Sequence, residues 1–404
     1  MGMFCVTATL GFGRFTLGVL LPSMGAELGL TYSQIGFVSS ANLLGYLVSA
    51  LVIARLSAKT GPRMTVFLAL TGAGIFMALA TLANSFVPLL LINVAIGLCN
   101  AGGSVPSMGL ASAWFSKQKR GRAAGVIVVG AGIAIMISSK LSPYINGMVG
   151  PHGWRISWRI LGAVTVGIAC LALAILRNRP RDLGLAPVGG EEPPPAASSA
   201  AAGKTSIYRI GVIYHLGAIY FLFGFSYMIY TMLTVTALVK EWGFPEGTVG
   251  MFWVCLGFLS LFSGPVFGAI SDRMGRKAGL ILVFSLQAAS YLLIATRLPG
   301  ITLHLSILFF GVTAWSVPGI MAAAMGDYAG PSRAAAALGL VTFMLGIGQM
   351  SGPAVAGMLA QKTGSFSAGF FLAAAFTCLA IVLCAFLKPP GESATAARSP
   401  GDVS

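Results

Sequence analysis

The sequence predicts an all-α membrane protein: twelve transmembrane helices in two pseudo-symmetric six-helix bundles. Three observations predict it. Only 9% of the 404 residues are charged and 56% are hydrophobic, against about a quarter charged in soluble chains, so most of the surface must face lipid. Apolar runs of membrane-crossing length, about 20 residues each, recur as six plus six. The two sets align at one constant offset of 214 residues.

The first six runs lie near 3–24, 34–53, 64–83, 87–113, 123–148 and 158–176. The second six lie near 207–235, 248–270, 279–296, 301–325, 334–359 and 367–387. These bounds give an N-terminal six-helix bundle over 1–176 and a C-terminal one over 207–387. Between them, 177–206 carries Pro193-Pro194-Pro195 and an Ala/Ser/Gly run, a composition that cannot bury a core and reads as a flexible cytoplasmic linker. The tail 388–404 reads as disordered for the same reason. The chain is apolar almost from Met1, with neither a basic leader nor a clear cleavage site, so the first run is expected to be a retained span.

The net charge of +15 does not point to nucleic acid, because the basic residues sit in short clusters between apolar runs. With both termini on the cytoplasmic side, 18 of the 25 Lys and Arg fall in inner loops and tails and 5 in outer loops. That positive-inside bias sets the expected orientation, in an inner (cell) membrane. Gly is abundant, at 53 residues, as close helix packing in lipid requires. The six cysteines all fall inside apolar segments and are expected to be small buried hydrophobes rather than a disulfide framework.

At the offset of 214, the segment 54–63 (ARLSAKTGPR) matches 268–277 (GAISDRMGRK), and Gly97, Gly125 and Gly132 match Gly311, Gly339 and Gly346. Paired halves of this kind imply a site near the membrane midplane. The second loop copy resembles the loop motif of the major facilitator superfamily in nearly complete form. The first departs from it, with Ala54 for Gly, Ala58 for Asp and Lys59 for Arg. The run 120–125 (RGRAAG) resembles that superfamily's next cytoplasmic loop, and Gly346, Gly348, Gly352 and Pro353 its glycine-proline helix motif. The resemblance covers roughly 3–387, and its nearest flavour is the organic-anion and monocarboxylate-like carriers. It implies an alternating-access transporter whose cavity is lined by spans 1, 4, 7 and 10.

The loop motif supplies the candidate gating residues Gly268, Asp272, Arg273, Gly275 and Arg276. A carboxylate at the end of span 8 can pair with a neighbouring cation or face a helix N-terminus, and so hold one access state. A solvated turn rich in charge is the plainer alternative. The first copy, lacking the carboxylate at Ala58, is expected to be only a turn.

All ten acids map to loops, span ends or tails, whereas Arg14 and Lys140 lie within spans. Burying Arg14 mid-span costs at least about 2.5–3.5 kcal/mol, and with no deep carboxylate an anionic ligand is its natural counter-charge. Its planar fork suits a carboxylate, and Thr7, Gly11 and Gly18 on its helix face leave room for one. Lys140 is the second candidate, with snorkelling to the interface as the alternative. Tyr220, Phe223, Tyr227 and Tyr230 form one face of span 7; the tyrosines are candidate ligand contacts, although an aromatic stripe is more often packing. Asn100, Ser104, Trp315 and Gln349 are further candidates that equally suit interhelical hydrogen bonds. Asn42 and Tyr46 rank below them. His215 is a candidate proton carrier, with a structural hydrogen bond favoured.

The expected function is secondary transport of a small organic anion, a carboxylate, with a co-transported proton or an exchanged anion as partner. No catalytic residue, cofactor or metal is expected, since no ligand spacing appears among His152, His215 and His304; the lipid bilayer is the other partner, and a monomer is expected. The alternatives are an efflux carrier for a drug or neutral metabolite, and a non-transporting membrane sensor or enzyme.

Overall fold

A computed structural model describes residues 1–186, 188–189, 210–298, 300–330 and 333–387. Those residues fold into helices connected by short loops. They are α1 (Gly2–Glu27), α2 (Tyr32–Thr60), α3 (Pro62–Ala80), α4 (Phe86–Trp114), α5 (Lys117–Val149) and α6 (Gly153–Ile175), followed by α7 (Gly211–Lys240), α8 (Glu246–Met274), α9 (Arg276–Ala295), α10 (Ile301–Ala329), α11 (Ala334–Thr363) and α12 (Ser367–Ala385). Among the described residues, eleven segments are long and apolar enough to cross a membrane, one of them Ala123–Ile175 with 53 residues. At about 1.5 Å per residue, that stretch is far longer than a hydrocarbon core of about 30 Å. It breaks at a 3₁₀ turn, Gly150–His152, where Gly150 takes a φ of +76°. The stretch is therefore two crossings, as expected for spans 5 and 6.

The helix ends follow from local chemistry. Thr31 and Gln34 form a reciprocal capping box at the start of α2, which satisfies two otherwise orphaned N–H groups. Gly61 ends α2 at a φ of +82°, and its repeat counterpart Gly275 precedes α9 at +88°, a region that side chains with a Cβ avoid. Pro62 takes the first position of α3, where its missing N–H costs nothing.

Two compact units emerge. Among the described residues, the first holds 1–186 and 188–189 with 229–258 and 353–369; the second holds 210–228, 259–298, 300–330, 333–352 and 370–387. Helices α1 and α7 are the most interior, with 89% and 94% of their apolar windows buried, whereas the other crossings bury 22–56%. The others carry outward-facing apolar side chains such as Leu51, Leu91, Met148, Phe262 and Phe386. A belt of this kind is stable only in lipid.

Within the first unit, helices approach until backbones touch. A Cβ on Gly97 would lie 2.0 Å from the Asn42 carbonyl oxygen, and one on Gly45 would lie 2.1 Å from that of Val94. These contacts seat α2 against α4 through the small-residue packing that substitutes for the hydrophobic effect in lipid.

Two expectations are corrected. Cys5 and Cys384 are buried, but Cys170, Cys255 and Cys378 are exposed on helix faces, because an apolar run in lipid has an outside as well as an inside. The start of the predicted linker is ordered: residues 180–183 form a 3₁₀ turn and Val188 pairs with Phe115. Compositional bias begins only beyond this stretch. Residues 190–206 of the linker and the tail 388–404 lie outside the described residues, as do the side chains of Arg120 and Arg122.

Gly97→Ala is expected to destabilise the protein by about 1–3 kcal/mol, the usual cost of overpacking. Gly339→Ala, where nothing lies within 4 Å of the added Cβ, is expected to be neutral. Thermal unfolding of the two variants in detergent checks the pair; equal midpoints would contradict the packing argument.

Candidate functional site

The first unit builds its site around an irregularity in α1. Residues 7–15 form a π-helical stretch that carries Arg14, with ordinary α-helix on either side. Such stretches displace the normal hydrogen-bond ladder and recur at functional sites. Asn42 of α2 donates from Nδ2 to the Gly13 carbonyl, at 2.9 Å, so the carbonyl beside Arg14 has a partner from another helix. Asn100 of α4 lies against Gly13 from a second side: a Cβ there would fall 2.2 Å from its Oδ1. The Arg14 side chain is only 6% exposed. Its guanidinium lies 5.5 Å from the Phe15 ring centre and 5.3 Å from that of Tyr46, two aromatic faces that stabilise a desolvated cation.

Polar capacity remains in this cluster. Both amide atoms of Asn100 and the Oδ1 of Asn42 are buried with no hydrogen-bond partner among the described residues. Each such group costs about 1–3 kcal/mol unless water or a ligand meets it. Asn42 and Tyr46, which the sequence ranked low, thus join Arg14 and Asn100. The signal was present in their spacing of four on one helix face, but only the path of α1 aims that face at Arg14. Ser104 contributes less: its hydroxyl donates to the Asn100 carbonyl in its own helix, at 2.8 Å.

The small face of α1 is not free space. A Cβ on Gly11 would lie 2.0 Å from the Ala134 Cβ, and one on Gly18 would lie 2.9 Å from the Thr231 carbonyl oxygen. Thr7 donates to Met3, and its hydroxyl lies 2.7 Å from where a Gly130 Cβ would be. These positions bring α5 and α7 close to α1; they do not leave a ligand cavity. Lys140 is exposed on α5 with Ile137, Tyr144 and Met148, and the structure does not bring it to Arg14. Tyr230 is fully buried and stacks on Trp253, at 6.3 Å between ring centres.

The second unit holds a separate aromatic cluster. Tyr220 stacks on Phe223, which meets Tyr227 at 5.2 Å; Tyr227 in turn faces Phe310 at 5.5 Å and Trp315 at 6.0 Å. Trp315 marks a break in α10 between Thr313 and Ser316. The break is chemically supported. Trp315 N–H donates to Ser263 Oγ at 2.9 Å, and the Thr313 carbonyl accepts from Gln287 and Ser316. Side chains can satisfy freed backbone groups in this way at membrane depth. Gln349 packs across Gly224. His215 bonds the Leu383 carbonyl through Nε2 at 2.8 Å, the structural role favoured from the sequence.

The candidate gating motif forms a charge triad at the basic end of the second unit. Arg276 donates from Nε to Asp327 Oδ2 at 2.8 Å and from a terminal nitrogen to Asp272 and to Ser271. This links the end of α8, the start of α9 and the end of α10. Asp327 was missed because it lies 51 residues from Arg276. Arg273 is exposed beside the triad, and Gly268 has open space where a Cβ would stand.

At the end opposite the basic loops, the first unit carries a set of polar and aromatic contacts. Glu241 accepts from Ser365 Oγ at 2.9 Å and from Phe366 N–H at 2.7 Å. Lys240 sits 4.3 Å from the Tyr32 ring centre, Tyr32 packs edge-on against Phe366, and Asn146 donates to Glu246. Glu27 accepts from Arg155, Trp154 and His152.

Comparison with known proteins places this architecture. The hexuronate transporter of Bacillus subtilis (strain 168) is 24% identical, over 93% of this chain and 91% of its own. Human monocarboxylate transporter 2 is 24% identical over 88% of this chain and 76% of its own. Among solved structures, a bacterial homologue of the human lysosomal transporter Spinster, in an inward-facing and unoccupied conformation, matches with a TM-score of 0.75. Its identity is 15%, over 99% of this chain and 98% of that one. The nucleoside transporter NupG (D323A mutant) matches with a TM-score of 0.73 at 15% identity, over 96% and 99%. Residues 6–385 match the model of a transporter family described as the uncharacterised MFS-type transporter YbfB, and the chain belongs to that family.

Proposed function

We propose that this transporter moves a small organic anion, a carboxylate, by alternating access, with Arg14 as the anion's anchor. The observation that carries the reading is the buried guanidinium on a π-helical turn, with the Tyr46 ring beside it and the partly unsatisfied amides of Asn42 and Asn100 against the neighbouring Gly13. A guanidinium fork holds a carboxylate through two parallel hydrogen bonds, and the amides offer both donors and acceptors to the rest of the ligand. The relatives agree in chemistry, since hexuronates and monocarboxylates are carboxylates.

The basic loops face the cytoplasm in this reading, as the distribution of Lys and Arg requires. The ties at Glu241, Glu246 and Tyr32 then close the outer side, and the Asp272–Arg276–Asp327 triad lies on the inner one. Breaking and remaking such ties is how a two-state transporter exchanges access. Tyr227 and Trp315 in the second unit, and Tyr230 in the first, stand as secondary candidates for ligand contact, whereas the exposed position of Lys140 supports the snorkelling alternative.

Arg14→Gln is expected to abolish the thermal stabilisation of the purified protein by glucuronate or lactate while leaving its unliganded melting temperature within a few degrees. Arg14→Lys, which keeps the charge and loses the fork, is expected to retain part of the effect. Equal stabilisation of wild type and Arg14→Gln by either acid would overturn the assignment.

Arg276→Met is expected to slow exchange in proteoliposomes by about five-fold without changing KM. An exposed ion-pair network is worth about 1 kcal/mol, and that is the factor it gives in an access equilibrium. An unchanged rate would remove the triad from the gating mechanism.

A further inference from the structure

We propose that the stretch formed by residues 177–186 and Val188 is a strap that does in the first half of the chain what the Asp272–Arg276–Asp327 triad does in the second, with Asn178 as its principal positioning residue. The repeat register points to it. At the offset of 214, Asp272, Arg276 and Asp327 correspond to Ala58, Pro62 and Ala113. All three charges are missing from the first copy. In their place is a cavity of about 750 Å³ lined by Ala58, Pro62 and Ala113, with Asn178, Arg179 and Asp182 on its wall. The corresponding cavity in the second copy, about 310 Å³, is lined by Asp272, Arg276 and Asp327 themselves.

The strap reaches the helix ends that correspond to those the triad joins. Asn178 Oδ1 accepts from Arg63 N–H at 2.9 Å. That N–H is one of the orphaned donors at the start of α3, so Asn178 caps the helix from 115 residues away. The side chain also covers Gly61, where an added Cβ would lie 2.9 Å from Asn178 Nδ2. Nothing lies within 4 Å of a Cβ on Gly275, the counterpart. The end of α4 and the residues just after it are held by three further hydrogen bonds. Trp114 Nε1 donates to the Arg177 carbonyl at 3.1 Å. Val188 N–H donates to the Trp114 carbonyl at 2.9 Å, and the Val188 carbonyl accepts from Ser116 N–H. Within the strap, Asp182 accepts from the Arg179 N–H at 3.0 Å.

A further pair is common to both copies. Arg63 donates from Nε to the Leu173 carbonyl at 2.8 Å, and its counterpart Lys277 donates to the Ala385 carbonyl. The basic residue at the third helix of each half is therefore kept, while the tie between the second, third and fourth helices has passed from side-chain charge to the strap. The strap is also the first stretch of the connection to the second half.

The test uses the full chain in proteoliposomes, with glucuronate and lactate as probes, and measures backbone hydrogen exchange at 63–66 in parallel. Asn178→Ala is expected to raise exchange at those amides about ten-fold, the loss of one cap, and to slow transport several-fold with KM unchanged. Asn178→Asp keeps an acceptor at a helix N-terminus and is expected to behave as wild type in both. Grafting Ala58→Asp, Pro62→Arg and Ala113→Asp onto Asn178→Ala is expected to restore the transport rate to within about two-fold, with Arg63's cap still absent. Wild-type exchange at 63–66 in Asn178→Ala would overturn the proposal, as would an Asn178→Asp variant as impaired as Asn178→Ala. The proposal rests on the transporter reading only for its rate arm. If wild type carries neither probe, the carboxylate reading fails and the exchange arm decides the strap alone.

Discussion

In hydrocarbon, every backbone N–H and C=O must find a partner within the protein, and this requirement shapes both the fold and the site. It accounts for the run of helices from Gly2 to Ala385. It also makes each departure from regular helix informative, because each one exposes groups that some other residue must meet. The π-helical stretch in α1 brings Asn42 to the Gly13 carbonyl. The break at Trp315 is met by Ser263, Gln287 and Ser316. Asn100, which lies against Gly13, is the repeat counterpart of Ala314, the residue before Trp315. A distorted helix with dedicated partners in one half thus answers a broken helix with dedicated partners in the other.

Close approach is the second consequence. With no hydrophobic drive between helices in lipid, association relies on dispersion and backbone proximity. Gly11 against Ala134, Gly18 against Thr231, and Gly36 against Pro353 show the result in the first unit. The same glycines that suggested room for a ligand are those that let helices touch. What marks the Arg14 region as the candidate site is the buried cation and the unsatisfied amides against the adjacent Gly13, not open volume beside small residues.

The fold was legible in the sequence because its signals are cumulative. Run lengths, charge asymmetry and repeat register each average over many residues, and local errors cancel. The division of 123–175 was expected from its two separate apolar runs, and the break at Gly150 separates α5 from α6 there. The site was legible only in part. Arg14 stood out because a mid-span guanidinium is costly whatever surrounds it. Asn42, Tyr46 and the burial of Asn100 depend on which way the π-stretch turns α1, and nothing in a period of 3.6 announces a π-stretch. Lys140 shows the converse: its charge drew attention, yet its place among Ile137, Tyr144 and Met148 is set by which face of α5 packs inward. Asp327 was hidden by sequence distance, since an acid at a span end gains meaning only once α10 is seen to end beside α9.

The two loop copies show how a repeat can keep a function while losing its residues. The second copy holds its helix ends by charge, through Arg276 and two carboxylates; the first has Ala58, Pro62 and Ala113 at those positions. Read by motif alone, the first copy is a decayed relic, and the composition of 177–206 is a tether. The coordinates join these two observations, because the segment that composition assigns to the tether caps α3 and pairs with the end of α4. Charge triads are weakened by salt and hydration. A capping amide and a backbone bridge are far less so, but they require the chain itself to be in place. Moving the tie from side chains to the connecting segment therefore exchanges an electrostatic latch for a mechanical one, and makes the geometry of the connection a determinant of how the first half holds its shape.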